Sequence, residues 1–300
     1  MNWIDTLADL IRRTTSDLPS DVEAALCSAA AAEPAQSQAA VLLQSLVANT
    51  GLARAQSTPL CQDTGTLTFF WRVPRGTDTQ ALEHAARAAV LAATERGWLR
   101  RNTIETLSGK SVDTNVTEGW PACHFEQVDP EPSGGPGVPG LRQFEVWLMQ
   151  KGGGSENMSA QFSLPDEALN AGRDLEGVRK CLLQAVWRAQ GFGCAPGVLG
   201  VCIGADRAEG FLVAKRQLLR PLDDASPEPE LAALERRVLD EANRLGIGPM
   251  GLGGGTTLLG VKIAVRPRLP ASYFVTVAYM CWACRRRGVR MTEGTVEWLG

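Results

Sequence analysis

A five-residue run, Cys61-Gln62-Asp63-Thr64-Gly65, constrains this 300-residue chain more than any other. It sets a thiol beside an amide, a carboxylate and a hydroxyl, and it closes on a glycine that permits a sharp backbone turn. Two further cysteines stand in comparable settings far along the chain. Cys194 lies in Gly193-Cys194-Ala195-Pro196-Gly197, and Cys281 in Cys281-Trp282-Ala283-Cys284-Arg285-Arg286. Glycine and proline around a thiol suit a loop whose amides can reach a bound group. Cluster iron prefers thiolate sulfur, so three such cysteines suggest an iron–sulfur cluster with one iron open. Two other readings of the same thiols stand beside it. Buried cysteine commonly packs as a small hydrophobe, and cysteine also binds zinc. The usual ferredoxin Cys-x2-Cys-x2-Cys run is absent.

The rest of the composition narrows the class. Apolar residues make up 44% of the chain, enough for a substantial core in one large domain or two small ones. A net charge of −3 argues against a general nucleic-acid binder. The chain has no apolar run of about 18 residues, the length that spans a bilayer, and no basic start followed by an apolar stretch of the secretory kind. It therefore reads as a cytoplasmic protein whose eight cysteines are reduced thiols or metal ligands. Cys27, in a helical core pattern, and Cys181 and Cys202, in apolar runs, read as buried structural thiols. Cys281-x-x-Cys284 would need a second ligand pair to hold zinc, and His84 and His124 are the only histidines.

Periodicity places the elements. The first fifty residues read as helices, with a capping box at Ser20-Asp21-Val22-Glu23 and a helix over Gln38 to Val47. Strands are expected at Thr66–Val73, Phe144–Lys151, Val198–Ile203, Val261–Val265 and Tyr273–Met280. Helices are expected at Gln80–Trp98, over most of Asp166–Gln190, at Arg207–Leu219 and at Leu231–Leu245, the last ended by Gly246. Asp129–Gly140 and Asp223–Glu230 read as exposed loops. The mix suggests an α+β fold class, or irregular α/β: a helical N-terminal segment, then mixed helices and strands around the suggested iron–sulfur site.

Three further groups bear on chemistry. Gly152-Gly153-Gly154-Ser155-Glu156-Asn157 follows a strand, where its amides can form an anion-binding nest or merely a tight turn. Gly246-Ile247-Gly248-Pro249-Met250-Gly251 matches Gly-x-Gly-x-x-Gly literally, but a helix precedes it and Pro249 interrupts it. That context excludes a dinucleotide fingerprint and leaves a long flexible loop. Arg100-Arg101-Asn102 and Arg285-Arg286-Arg287 offer guanidinium forks for carboxylates, or plain solvated basic faces.

Taken together, these blocks resemble the alpha subunit of the class I, iron–sulfur-dependent fumarase and tartrate dehydratase family over nearly the whole chain. They are Pro59–Gly65, Leu99–Asn102, Lys151–Asn157, Cys194–Gly200, Leu245–Gly253 and Cys281–Arg286. The resemblance implies a single alpha-type domain over residues 1–300, with the beta-type domain absent from this chain. It implies a [4Fe–4S] cluster on Cys61, Cys194 and Cys281, with Cys284 outside the ligand set. It implies that Gln62, Asp63 and Arg100 contact a small dicarboxylate, Asp63 and Arg100 with catalytic roles, and that the Gly153 and Gly154 amides help hold it. The implied reaction is reversible hydration, fumarate to malate first, with tartrate or mesaconate-type acids as alternatives, or a non-catalytic iron–sulfur subunit. The implied partner is a beta-type subunit, assembled as a dimer of alpha/beta pairs, with no role for nucleic acid or membrane. Two stretches depart from the pattern. Leu269 stands where relatives often carry histidine, and Ser108–Gly119 lacks the usual Asn-Thr-Gly, although Asp113-Thr114-Asn115 is close to it.

Overall fold

The computed structural model describes residues 2–129, 143–292 and 294–300. Apart from Asp129, which pairs with Arg75 at 2.8 Å, the expected loop at Asp129–Gly140 lies outside these residues. In chain order the first elements are α1 (Trp3–Ser16), α2 (Ser20–Ala32), α3 (Gln38–Gln56), β1 (Thr66–Pro74) and α4 (Thr79–Glu95). Next come β2 (Thr103–Ile104), β3 (Ser111–Val112), β4 (Ala122–Val128), β5 (Gln143–Lys151), α5 (Gly153–Asn157) and β6 (Ala160–Ser163). The remainder are α6 (Leu175–Ala189), β7 (Gly197–Ile203), α7 (Arg207–Gln217), α8 (Pro229–Arg244), β8 (Leu258–Val265), β9 (Phe274–Met280), β10 (Arg285–Thr292) and β11 (Thr295–Leu299). The α+β expectation holds. The chain forms two compact units.

The first unit comprises Met1–Pro19, Asn49–Lys151 and Arg285–Gly300. Its sheet runs β11-β10-β5-β1-β4, with only the β1–β4 pairing parallel. Helices α1 and α4 cover the sheet through Leu7, Leu10, Ile11, Leu82, Ala86 and Val90, which meet Phe69, Trp71, Val146 and Leu148. Burying each large apolar side chain contributes roughly 1.5–3 kcal/mol. Trp71 also stacks on Phe125 and meets Trp3 edge-on at 5.3 Å. Helix α4 starts where Asp78 accepts the Ala81 N–H at 3.1 Å, satisfying a first-turn donor.

The second unit comprises Ser20–Ala48 and Gly152–Cys284. Its sheet runs β6-β9-β7-β8, with β7 and β8 parallel and the other pairs antiparallel. One face carries Leu199, Val201, Val277 and Ile263 against α6 and α8 residues such as Leu182, Val186, Leu234 and Val238. On the other face α7 sits close, because Gly200 has no side chain: a Cβ there would lie 2.1 Å from the Ala214 carbonyl oxygen. Asp174 and Asp206 cap α6 and α7 by accepting from Gly177 N–H at 2.7 Å and from Ala208 and Glu209 N–H.

Several expectations need correction. Residues 166–174 are not helical; Asp166 and Ala171 exchange backbone hydrogen bonds, and α6 begins only at Leu175. Cys27 is exposed rather than buried, on the outer side of α2. Strands β2, β3, β4, β6, β10 and β11 are not among the expected ones. The Gly246–Gly255 stretch is a packed turn containing a 3-10 segment at Pro249–Gly251, not a loose loop. Gly248 has φ +68°, and a Cβ on it would lie 2.0 Å from the Gly253 carbonyl oxygen.

Candidate functional site

In the first unit the Cys61–Gly65 turn is pinned on all sides. The preceding Leu60 donates its N–H to Thr15 O at 3.0 Å and accepts from Asn49 Nδ2 at 3.0 Å. Asp63 Oδ1 accepts the Gly65 N–H at 2.9 Å, an Asx turn. Gly65 has φ +77°, and a Cβ there would lie 2.7–2.9 Å from the Lys151 backbone. Arg285 Nη1 donates to the Asp63 carbonyl at 2.9 Å. Cys61 and Asp63 are half-buried, and Gln62 is exposed.

Arg285 and Arg286 are 1% and 2% exposed, so the solvated-face reading of that triplet fails. Arg287 pairs with Asp17 at 2.8 Å and donates to Leu18 O. Arg100 is exposed and lies in a segment tied to the cysteine turn. With its amide turned to satisfy both atoms, Asn102 donates to Arg100 O at 3.2 Å and accepts from Thr64 N–H at 3.3 Å. The Arg100 carbonyl also accepts from Asn115 Nδ2 at 2.7 Å.

In the second unit Cys194 and Cys281 come together. Cys194 sits between α6 and β7 at φ +53°. Its N–H donates to Gly191 O at 3.0 Å, and its carbonyl accepts the Trp282 N–H at 3.1 Å. Tyr279 fills the space beneath: Cβ atoms on Gly193 and Gly197 would come within 2.4 and 2.5 Å of its ring. Burial, then the neighbouring Cys281 and Cys194 thiols, push the Tyr279 phenol well above its ordinary value. The Gly246–Gly251 turn buttresses this loop, with Met250 N–H donating to Ala195 O at 2.9 Å. Gly153 and Gly154 open α5 with exposed backbone, and a Cβ on Gly154 would lie 3.7 Å from the Phe192 carbonyl, two residues before Cys194.

The cysteines separate by environment, and none is in a disulfide. Burial pushes the Cys123 and Cys181 thiols up to about 12 and that of Cys202 to about 11, so these three stay protonated. Cys284 is fully buried, whereas Cys61 and Cys194 are half-buried and Cys281 is 9% exposed. Among the described residues no three of His, Cys, Asp or Glu form a set for a single metal ion. Leu269 is 75% exposed on the loop between β8 and β9. The sequence reading gave no role to Tyr279 or Arg285 individually, and it noted Asn115 only as part of a near-motif. Tyr279 was hidden in an apolar strand, and Arg285 in a basic triplet.

Comparison with known proteins gives the family. The sequence model of the fumarate hydratase (Fumerase) family matches residues 4–290. A protein of Geobacillus stearothermophilus, provisionally named fumarate hydratase class I, is 42% identical over 301 residues, 98% of this chain and 56% of its own length. The chain thus spans little more than half of that relative. A protein of Methanocaldococcus jannaschii, provisionally named L(+)-tartrate dehydratase subunit alpha, is 32% identical over 292 residues, 95% of this chain and 96% of its own length. The L(+)-tartrate dehydratase subunit alpha of Escherichia coli strain UTI89 is 30% identical over 236 residues, 78% of this chain and 72% of its own. By the extent of these matches, the chain belongs to the fumarate hydratase (Fumerase) family.

Proposed function

We propose that this chain is the alpha-type part of a [4Fe–4S] hydro-lyase that adds water to, or removes it from, a small dicarboxylate, with fumarate and malate the first pair. The observation that carries this reading is the family match over residues 4–290. The relatives named tartrate dehydratase favour tartrate as the second candidate, ahead of mesaconate-type acids. A subunit that keeps the cluster but not the chemistry is the remaining reading, and Leu269, which can neither bind a carboxylate nor move a proton, favours it. The partner is a beta-type domain, fused or separate, assembled as a dimer of alpha/beta pairs in the cytoplasm. Among the described residues no helix is long and apolar enough to cross a membrane.

The chemistry of the proposed donors supports the cluster, since cluster iron prefers thiolate sulfur. Cys61 and Cys194 are half-buried and lie in turns that carry glycine; Cys281 follows β9, next to Cys194. These three would hold it. When bound, its open iron supplies Lewis acidity toward the substrate's hydroxyl and one carboxylate. The chain's own residues would do the rest of the binding. The Arg100 fork grips the other carboxylate bidentately. Gln62 offers an amide donor and acceptor, and the Gly153 and Gly154 N–H groups donate to a carboxylate oxygen. Asp63, held by the Gly65 N–H, presents a carboxylate that accepts from a bound hydroxyl. The proton next to the carboxylate is left to the beta-type partner.

The test is purification without oxygen, alone and with a beta-type partner. It measures iron, acid-labile sulfide, the EPR signal on brief oxidation, and turnover of fumarate, tartrate and mesaconate. About four irons per chain and a [3Fe–4S] signal after air are expected, with hydration only when the partner is present. Cys61→Ser should abolish the cluster and Cys284→Ser should retain it. Equal loss in both overturns the ligand assignment.

A further inference from the structure

We infer that Asn115 is a positioning residue: its buried amide fixes the segment that carries Arg100 and, through Asn102, registers that arginine against the Cys61–Gly65 turn. The inference rests on the proposed reading of Arg100 as the carboxylate fork. It concerns a residue outside the six blocks that carry the resemblance, in the stretch that only approaches the family pattern.

Asn115 is 4% exposed and adopts φ +57°, a conformation that asparagine tolerates better than most residues. Its amide has two N–H donors and an acceptor oxygen with two lone pairs, and all four are used. Nδ2 donates to Arg100 O at 2.7 Å and to Thr94 Oγ1 at 3.2 Å. Oδ1 accepts from Thr103 N–H at 3.2 Å and from Thr103 Oγ1 at 2.9 Å. Thr94 Oγ1 in turn donates to Val90 O at 2.8 Å, which roots the amide on α4. The amide therefore grips the segment at Arg100 and again at Thr103. Between those points Arg100, Arg101 and Asn102 are exposed. Asn102, bonded to Arg100 O and Thr64 N–H, ties the same segment to the cysteine turn.

A long arginine on an exposed segment would otherwise wander. Here three consecutive exposed residues leave from fixed backbone points, so the guanidinium starts from a defined place. The residue type is specific. Aspartate lacks the two donors, glutamine is one methylene too long, and glycine suits the backbone but carries no amide.

The experiment uses the full chain with its cluster and beta-type partner, and the variants Asn115→Asp, Asn115→Gly and Arg100→Ala with their combinations. Asn115→Asp keeps the shape should Asn115→Gly not fold. Each Asn115 variant should retain iron and sulfide, and should raise the KM for fumarate about 10- to 100-fold, the range expected for a lost buried hydrogen bond. kcat should change less. Added to Arg100→Ala, either variant should cause no further loss, because Asn115 acts through Arg100. Losses that multiply in the double variant overturn the inference, since a merely structural amide would produce them. If the wild type with its partner turns over none of the dicarboxylates, the proposed function fails. Hydrogen exchange then decides the inference alone: Thr103 N–H should exchange more than 10-fold faster in Asn115→Gly, which loses the accepting oxygen, than in wild type or Asn115→Asp, which keep one, and an unchanged rate in Asn115→Gly overturns it.

Discussion

The loop carrying Cys194 rests on a single aromatic ring, and Gly193→Ala tests that support directly. A Cβ at Gly193 would lie 2.4 Å from Tyr279 Cε1 and 2.8 Å from Cζ. Carbon atoms in contact prefer separations of about 3.5–4.0 Å, so the methyl overlaps the ring by more than an ångström. Tyr279 is 1% exposed, on a strand paired on both sides, and it has nowhere to turn. Overpacking of this kind costs about 1–3 kcal/mol, and at roughly 2–4 °C per kcal/mol the melting temperature should fall by roughly 2–12 °C. The strain sits one residue from Cys194, so iron bound per chain after anaerobic reconstitution should fall with it. Urea unfolding, thermal melts and iron content are the readouts. Shortening the ring in a Gly193→Ala/Tyr279→Leu double variant should recover part of the loss, because the clash and its cause disappear together. A Gly193→Ala protein within about 0.5 kcal/mol of wild type, a surface-like effect, would refute the reasoning. So would a penalty that persists in full after the ring is shortened.

Two other outcomes follow from charge and burial. The hydrogen bond from Arg179 holds the Glu176 carboxyl down to about 2, against an ordinary value of about 4.3. A depressed carboxyl contributes stability that is present above its unfolded value and is lost as pH falls through its folded value. Glu176→Gln should therefore differ from wild type by no more than about 1 kcal/mol at neutral pH, because the carboxylate of the pair is exposed. That difference should vanish between about pH 4.3 and pH 2; a difference that grows on acidification contradicts the sign. Iodoacetamide at pH 8 should label Cys27 in the folded protein, whereas Cys123, Cys181 and Cys202 should react only after urea. Labelling of Cys181 as fast as Cys27 would show that burial does not protect it.

Much of the chain announces itself through period and punctuation. Thr66–Val73 is mostly apolar and rich in β-forming residues, and it becomes β1, buried on both faces. Leu231–Leu245 repeats every three to four residues and becomes α8, started by Pro229 and ended at Gly246 with φ +68°. The failures have different causes, and distant partners are the first of them. Arg285-Arg286-Arg287 looks like a solvated triplet until β5 pairs with it and Asp17, far away in sequence, takes Arg287. Asp166–Asp174 carries helix-compatible residues, but the chain turns there through bonds between Asp166 and Ala171. Cys27 belongs to a helical pattern, yet that pattern does not say which side α2 turns inward. The cysteine turns were legible because thiol, glycine and proline cluster locally. The amides that hold Arg100 were not, since Asn115 meets Thr94, Arg100 and Thr103 only after the fold has closed.

The order of the strands has a consequence for biosynthesis. β10 is an interior strand, seated between β5 and β11 and packed under α1, yet it is made from residues 285–292. The second unit ends at Cys284, one residue earlier. A growing chain therefore exposes every segment of the second unit before the first unit receives β10. Until then β5 has an open edge, α1 lacks a strand to cover, and the Asp63 carbonyl lacks Arg285. The turn that carries Cys61 is thus locked late, by residues synthesised just after Cys281, so the last thiol is already on the chain when the first one is fixed in place.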